Sequence, residues 1–85
     1  MIIRRTNAFL KDYRGLPSEI QERVDKQLYL LFKNFRHPSL RLKKLGGTDK
    51  FEIRISKGYR LTLRLEKNEI ELRRVGTHDI LREEG

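Results

Sequence analysis

The chain has 85 residues, of which 20 are Lys or Arg and 12 are Asp or Glu, so its formal net charge is +8. This length fits one small domain with a modest core, and the lack of cysteine excludes disulfides and thiolate metal sites. Two histidines are too few for a histidine-rich metal site, and we expect neither a metal nor another cofactor. The excess positive charge favours a polyanionic partner: nucleic acid, an acidic protein or an anionic membrane surface.

Nothing in the sequence predicts membrane insertion or export. There is no run of about 18 apolar residues that would span a bilayer. The start of the chain, MIIRRTNAF, has too few apolar residues before its arginines for a secretory signal. We therefore expect a cytoplasmic protein that forms a single domain over residues 1–85.

The first half of the chain predicts a strand and two helices. Residues 1–5 are partly β-branched and predict an edge strand, and Thr6 is expected to cap a short helix that ends at Gly15. A second helix should begin at Pro17, which suits the first helical position. Its apolar residues recur every three or four positions and define one buried stripe. They are Ile20, Val24, Leu28, Leu31, Phe32 and Phe35.

The second half predicts four strands. Residues 40–45 (LRLKKL) are read as a strand after the turn at His37-Pro38, and three further segments within residues 51–73 alternate apolar and polar side chains. Their apolar positions are Phe51, Ile53, Ile55, Leu61, Leu63, Leu65, Ile70 and Leu72. The order β-α-α-β-β-β-β predicts an α+β fold of two layers, with an antiparallel sheet packed on a helical hairpin.

The turns between the last three strands predict which polar residues lie together. A three-residue loop at 57–59 and a two-residue turn at 67–68 keep residues of one face opposite each other. In that register Arg64 lies between Glu52 and Glu71, which predicts an ion-pair ladder. The other end of the same face gathers basic residues that have no acidic partner. They are Arg54, Arg60, Arg73 and His78.

This second group contains the side chains that cleavage of RNA by its own 2′-OH requires. The reaction needs a base, an acid and a positive charge beside the reacting phosphate. Arginine binds phosphate oxygens in pairs and stays charged, and histidine exchanges protons near neutral pH. A solvated basic face and an incidental histidine are the alternative interpretations. The residues alone predict polyanion binding and leave catalysis open.

Four other residues have two interpretations each. His37 is expected in a loop, where it is either structural or a phosphate contact. Tyr59 either stacks on a base or packs over the end of the hairpin. Lys43 and Lys44 point to opposite faces of a regular strand, so at most one of them can join the basic group.

Several segments of the chain resemble the RelE/ParE superfamily of bacterial and archaeal toxins. They are residues 9–35, RHPSLRLKKLGG, FEIRISKGYRL and RRVGTHDIL, and the most specific matches are Gly58–Leu61 and Gly76–His78. The resemblance covers nearly the whole chain and implies the same β-α-α-β-β-β fold. It implies the toxin of a type II toxin–antitoxin module, neutralised by an antitoxin whose acidic segment folds over it. RelE-like members are metal-independent endoribonucleases that cut mRNA in the ribosomal A site and leave a 2′,3′-cyclic phosphate.

The resemblance also implies roles for individual residues. Arg60 matches the arginine that stabilises the transition-state phosphate, and Arg54 matches a strand lysine that assists proton transfer or stabilises charge. His78 matches the C-terminal catalytic histidine of the YafQ-like branch. The residues expected to contact RNA are Lys43, Lys44, Arg41, Arg73, Tyr59 and His37.

The chain departs from the RelE-like pattern at some positions. Glu52 stands where a lysine is expected, and the C-terminal tyrosine has no recognisable counterpart. Asp79 follows His78 and either orients it or caps the last turn. Two other functions therefore stay open: a ParE-like toxin that blocks DNA gyrase without cutting RNA, and a catalytically degenerate relative that only binds nucleic acid.

Overall fold

The computed structural model describes residues 2–84, except for the side chain of Glu83. In chain order the elements are β1 (Ile2–Arg5), α1 (Asn7–Arg14), α2 (Ser18–Lys33), a 3-10 turn (Pro38–Leu40), β2 (Lys43–Lys44), β3 (Lys50–Arg54), β4 (Tyr59–Glu66), β5 (Glu69–Thr77) and α3 (Ile80–Glu84). Met1, the first residue of the predicted edge strand, lies outside the described residues. None of the helices within residues 2–84 is long and apolar enough to cross a membrane.

The five strands form one sheet in the order β1-β5-β4-β3-β2. Neighbouring strands are antiparallel except β1, which runs parallel to β5 with Ile3 opposite Ile70. The α+β class and the edge position of β1 are confirmed, but the prediction of a wholly antiparallel sheet is wrong. Side-chain alternation does not reveal the direction of a strand whose partner lies far along the chain. That direction is set by how α1 and α2 carry the chain across the sheet.

Both predicted helices form and pack on one face of the sheet. Thr6 caps α1, since its Oγ1 accepts a hydrogen bond from the Phe9 backbone N–H (3.1 Å) and donates one to the Leu72 carbonyl (2.8 Å). The cap therefore also ties α1 to β5. The buried core joins both helices to the inner positions of the strands. Its members are Phe9, Val24, Leu28, Leu31, Leu40, Ile53, Ile55, Leu61, Leu63, Ile70, Leu72 and Val75.

The apolar stripe of α2 is narrower than predicted. Phe32 is 52% exposed, and Phe35 lies beyond the end of the helix at Lys33. Adjacent helical residues point about 100° apart, so Phe32 cannot share the inward direction of Leu31. Gln27 is also buried in α2, although it is polar and was not part of the predicted apolar stripe.

The predicted strand at residues 40–45 is wrong over most of its length. Leu40 ends the 3-10 turn and is fully buried. Arg41 then has a left-handed backbone (φ 50°, ψ 48°), which interrupts the extended chain. Only Lys43 and Lys44 pair with β3.

The β3–β4 hairpin differs from its predicted register by two residues. Arg54 lies opposite Arg60 and Glu52 opposite Thr62, so the loop consists of residues 56–58 instead of 57–59. A shift of two residues leaves every side chain on its predicted face.

The β4–β5 hairpin follows the prediction only as far as Leu63 opposite Leu72. There a β-bulge shifts the register by one residue, so Arg60 faces Gly76 instead of Val75. The extra residue brings Val75 to the core face opposite Leu61.

Candidate functional site

The face of the sheet opposite α1 and α2 is covered with polar side chains, and we call it the charged face. The register places on it Arg4, Lys43, Lys50, Glu52, Arg54, Arg60, Thr62, Arg64, Glu71 and Gly76, and Arg73, the extra residue of the bulge, bonds to Glu71 there. α3 lies over part of this face. Its Glu84 bonds to Arg73 and Lys50, and its Ile80 contacts Gly76.

The centre of the charged face is neutralised. Glu71 is buried between Arg4 and Arg73, and the Arg73–Glu71 contact is 2.8 Å. Burial raises the pKa of Glu71, but hydrogen bonds from Arg73 and Arg4 outweigh it and leave that pKa below its usual value. Arg73 also bonds to Glu84 at 2.7 Å, which raises the pKa of the guanidinium. The prediction that Arg73 lacks an acidic partner is therefore wrong, because it assigned Glu71 to Arg64 and did not include α3.

The predicted ladder around Arg64 is also wrong. Arg64 lies opposite Glu71, as expected, but its ion pairs are with Asp49 (3.3 Å) and Glu66 (3.6 Å). The hairpin shift places Lys50, not Glu52, across from Arg64. Glu71 is already bonded to two other arginines.

The opposite end of the charged face brings together Arg54, Arg60 and His78, which we call the basic cluster. Arg54 and Arg60 face each other across β3 and β4, and His78 follows β5 two residues after Gly76, the partner of Arg60. Neighbouring strands lie about 4.8 Å apart, so the backbones of Arg54 and Arg60 are adjacent, and β4 separates Arg54 from the strand that leads to His78. Within residues 2–84, no hydrogen bond or ion pair engages the Arg54 side chain.

Arg60 is not free of acidic neighbours, which corrects the prediction. Its Nε lies 3.6 Å from Glu52 Oε1. Its NH1 group donates to the carbonyl oxygens of Ser56 (2.7 Å) and Tyr59 (2.9 Å). The guanidinium is thus held against the β3–β4 loop in a fixed position.

The Gly76–His78 segment positions the start of α3. A Cβ at residue 76 would lie only 3.0 Å from Ile80 Cγ2, so glycine lets α3 approach the sheet closely. His78 is exposed, and its carbonyl accepts from the Leu81 N–H at 3.0 Å. The Asp79 carboxylate pairs with Arg82 at 3.3 Å, so it does not orient His78.

The remaining predicted residues are dispersed. Lys43 faces Glu52 and so joins the charged face, whereas Lys44 faces Phe51 on the other side. His37 Nδ1 accepts from the Ser39 N–H at 3.2 Å and caps the 3-10 turn, a structural role. Tyr59 packs against the core. Of the residues predicted to contact RNA, only Lys43 extends the charged face towards its edge.

Sequence reasoning missed a second basic site, which shares Arg54 and the β3–β4 loop with the basic cluster. Arg23 and Lys26 project from α2 beside Arg41 and Lys57, and together they line one cavity. Their spacing of three on a helix was the available signal, but such residues usually form only a solvated face.

The fold is similar to that of several solved toxins. The YoeB/ParE toxin from Agrobacterium tumefaciens matches with a TM-score of 0.80 and 15% identity, over 92% of this chain and 99% of that one. A chain of the E. coli DinJ-YafQ toxin-antitoxin complex matches with a TM-score of 0.78 and 18% identity, over 93% of each chain. A chain of the intact E. coli RelBE toxin-antitoxin complex has a TM-score of 0.73 and 25% identity, over 89% of this chain and 94% of that one. The sequence matches no protein-family model and no curated protein.

Proposed function

Because the chain has the fold of the RelE/ParE toxin superfamily, we propose that it is the toxin of a type II toxin–antitoxin pair and that it cuts mRNA on the ribosome. The observation that carries the proposal is the basic cluster. It sets Arg54 directly across from Arg60, with His78 directly after the end of β5.

The proposed reaction uses the RNA, the side chains of the cluster and a water molecule for one of its two proton transfers. The 2′-oxygen attacks the adjacent phosphorus, a new O–P bond forms, and the bond from phosphorus to the 5′-oxygen breaks. A base accepts the proton of the 2′-OH and an acid supplies one to the leaving 5′-oxygen. The products are a 2′,3′-cyclic phosphate and a free 5′-OH.

Arg60 and Arg54 supply the charge that this reaction demands. Negative charge builds up on the phosphate oxygens in the transition state, and fixed cations stabilise it there. The loop carbonyls hold Arg60 through NH1, and no described residue bonds to its NH2, which remains available to a phosphate oxygen. His78 directly follows β5, the strand that pairs with Arg60, and its side chain is exposed, so it is the candidate for proton transfer.

The proposed protein partner is an antitoxin, because two of the similar solved chains are in toxin–antitoxin complexes. An acidic segment suits a surface with a net charge of +8. Among the described residues, the large exposed apolar side chains are Ile2, Tyr29 and Phe32. They offer apolar contacts to a segment that folds on binding.

The decisive experiment is primer extension on mRNA from cells that express the protein. Cuts at phased codon positions that depend on translation support the proposal. His78→Ala and Arg60→Ala should each slow cutting by about 10²–10³-fold, as losses of a proton-transfer or charge-stabilising group do. Lys11→Ala, an exposed substitution on α1, serves as the control. Full toxicity of both cluster variants would contradict the proposed chemistry.

Inhibition of DNA gyrase is the second candidate, and Glu52 favours it. Its carboxylate lies 3.6 Å from Arg60 and competes with a phosphate for the guanidinium. Incorporation of labelled precursors separates the two functions. A gyrase inhibitor stops DNA synthesis before protein synthesis, whereas an mRNA endonuclease stops protein synthesis first.

A further inference from the structure

A cavity of about 350 Å³ lies between α2, the 3-10 turn and the β3–β4 loop. Its lining residues are Arg23, Lys26, Gln27, Ser39, Arg41, Arg54, Ile55, Ser56 and Lys57. Five of these residues are cationic, and none carries a carboxylate. We call this cavity the basic pocket. It adjoins the basic cluster, because Arg54 belongs to both.

A buried amide holds the walls of the basic pocket together. Gln27 is only 9% exposed, and its Nε2 donates to the Arg54 carbonyl (2.8 Å) and to the Ser39 carbonyl (3.2 Å). One side chain of α2 therefore fixes both the end of β3 and the 3-10 turn. The cationic residues at the rim are anchored on a rigid base, which a binding site requires.

The backbone at Arg41 is unusual for an arginine. Its φ of 50° lies in the left-handed region that glycine tolerates best, and Gly47 is the other described residue with a positive φ. Residues of this kind concentrate at functional sites and persist where the surrounding structure holds them, as the bond from the Arg41 N–H to the Pro38 carbonyl (3.1 Å) does here. Here the side chain is a guanidinium at the pocket.

The charges of the basic pocket are not neutralised from within the described chain. No ion pair shorter than 4.0 Å engages Arg23, Lys26, Arg41 or Lys57. Two acidic residues, Glu19 and Glu22, line an adjoining cavity with Arg23 and Lys26, but neither pairs with them. Clustered like charges repel each other, and a bound anion relieves that repulsion.

We propose that the basic pocket binds the phosphates of an RNA strand next to the basic cluster. This inference rests on the proposed function for the identity of the polyanion. Arg60 donates to the carbonyl oxygens of Ser56 and Lys57, whose own residues line the pocket, so the two sites share one loop. A strand that leaves the cluster over this loop enters the pocket. An amphipathic peptide fits less well, because the apolar lining residue, Ile55, is only 4% exposed.

The test is the affinity for a fluorescent 2′-O-methyl RNA oligonucleotide, which cannot be cleaved, measured over a range of salt concentrations. The variant is Arg23→Gln with Lys26→Gln. The control is Lys11→Gln with Arg14→Gln, which removes two exposed, unpaired charges at the same spacing on α1. Each phosphate contact on a single strand contributes about 0.7 to the slope of log affinity against log salt. The pocket variant should lose about 1.4 of that slope and roughly 25-fold in affinity at 0.1 M salt, while the control changes little.

A second variant separates binding from folding. Arg41→Gly relieves the left-handed backbone, so it should unfold at an unchanged or higher urea concentration while its RNA affinity falls about fivefold. Equal loss in the pocket variant and the α1 control overturns the proposal, as does unchanged affinity in Arg41→Gly. The proposal is also overturned if the pocket variant binds RNA with wild-type affinity but binds a polyglutamate peptide more weakly than the wild type does.

Cutting of ribosome-bound mRNA is scored separately. A protein that binds RNA through the pocket but cuts nothing refutes the proposed activity and leaves the pocket intact.

Discussion

Replacing Glu52 with glutamine should strengthen RNA binding at the basic cluster. The Glu52 carboxylate lies 3.6 Å from Arg60 Nε, and both side chains are mostly buried (15% and 17% exposed). A phosphate on the far side of the guanidinium would then lie about 7 Å from this carboxylate. With an effective dielectric constant of about 40, two unit charges at that distance repel by about 1.2 kcal/mol.

Salt at 0.1 M reduces this repulsion by about half, because the Debye length is about 10 Å. The expected gain in RNA affinity for Glu52→Gln is therefore about 0.6–1.2 kcal/mol, or roughly three- to eightfold in Kd. The assay is binding of the uncleavable oligonucleotide at 0.1 M salt. Urea unfolding of the same variant measures what the lost ion pair contributes to stability.

Glu66→Gln is a matched control for this prediction. Glu66 lies 3.6 Å from Arg64, the same separation as in the Glu52–Arg60 pair, but at the other end of β4. Both substitutions change the net charge equally, so a general charge effect would raise affinity equally in both variants. A gain confined to Glu52→Gln places the phosphate at Arg60. No gain, or an equal gain in both, would refute the reasoning.

Two further predictions concern stability. Asp12 accepts hydrogen bonds from Arg74 Nε (2.6 Å) and the Val75 N–H (3.2 Å). Asp12→Ala should therefore lower the free energy of unfolding, measured in urea, by about 2 kcal/mol. Asp79→Ala removes an exposed ion pair and should lower it by less than about 0.5 kcal/mol. The pKa of Glu71 is lowered in the folded protein, so its contribution is complete above the unfolded-state pKa of about 4.3 and is lost as pH falls through the lower folded value. Unfolding midpoints measured from pH 6 down to pH 2 should fall less steeply in Glu71→Gln than in the wild type; parallel curves would contradict the assignment.

The sequence predicted which face of the sheet each side chain occupies better than it predicted which residues lie opposite each other on neighbouring strands. Alternation identified β3, β4 and β5 and their inner sides correctly, because burial of one face dictates it. It could not choose between loops at 56–58 and 57–59, since a shift of two residues keeps every apolar side chain inside. The bulge in β5 left a signal in the sequence, because apolar Val75 is out of step with Ile70 and Leu72. The structure buries Val75 beside them.

The candidate site was predicted in part for a similar reason. Placing Arg54, Arg60 and His78 at one end of the charged face needed only the order of the strands and their faces. Pairing each arginine with its carboxylate needed the exact register and a short C-terminal helix. α3 spans only Ile80–Glu84, which is too short for a periodic pattern to reveal it. Its Glu84 pairs with Arg73 in addition to Glu71.

The distribution of charge around the β3–β4 loop links the two proposed sites. On the charged face, Arg4, Arg64 and Arg73 are each paired with carboxylates. Among the described residues, cations without an ion pair flank the loop: Arg54 belongs to both the cluster and the basic pocket, and Arg23, Lys26, Arg41 and Lys57 line the pocket. A polyanion is therefore attracted to the end of the molecule where Arg60 is held rigidly by loop carbonyls. α3 contributes to this asymmetry, because its Glu84 removes the competing charge of Arg73 from the centre of the sheet.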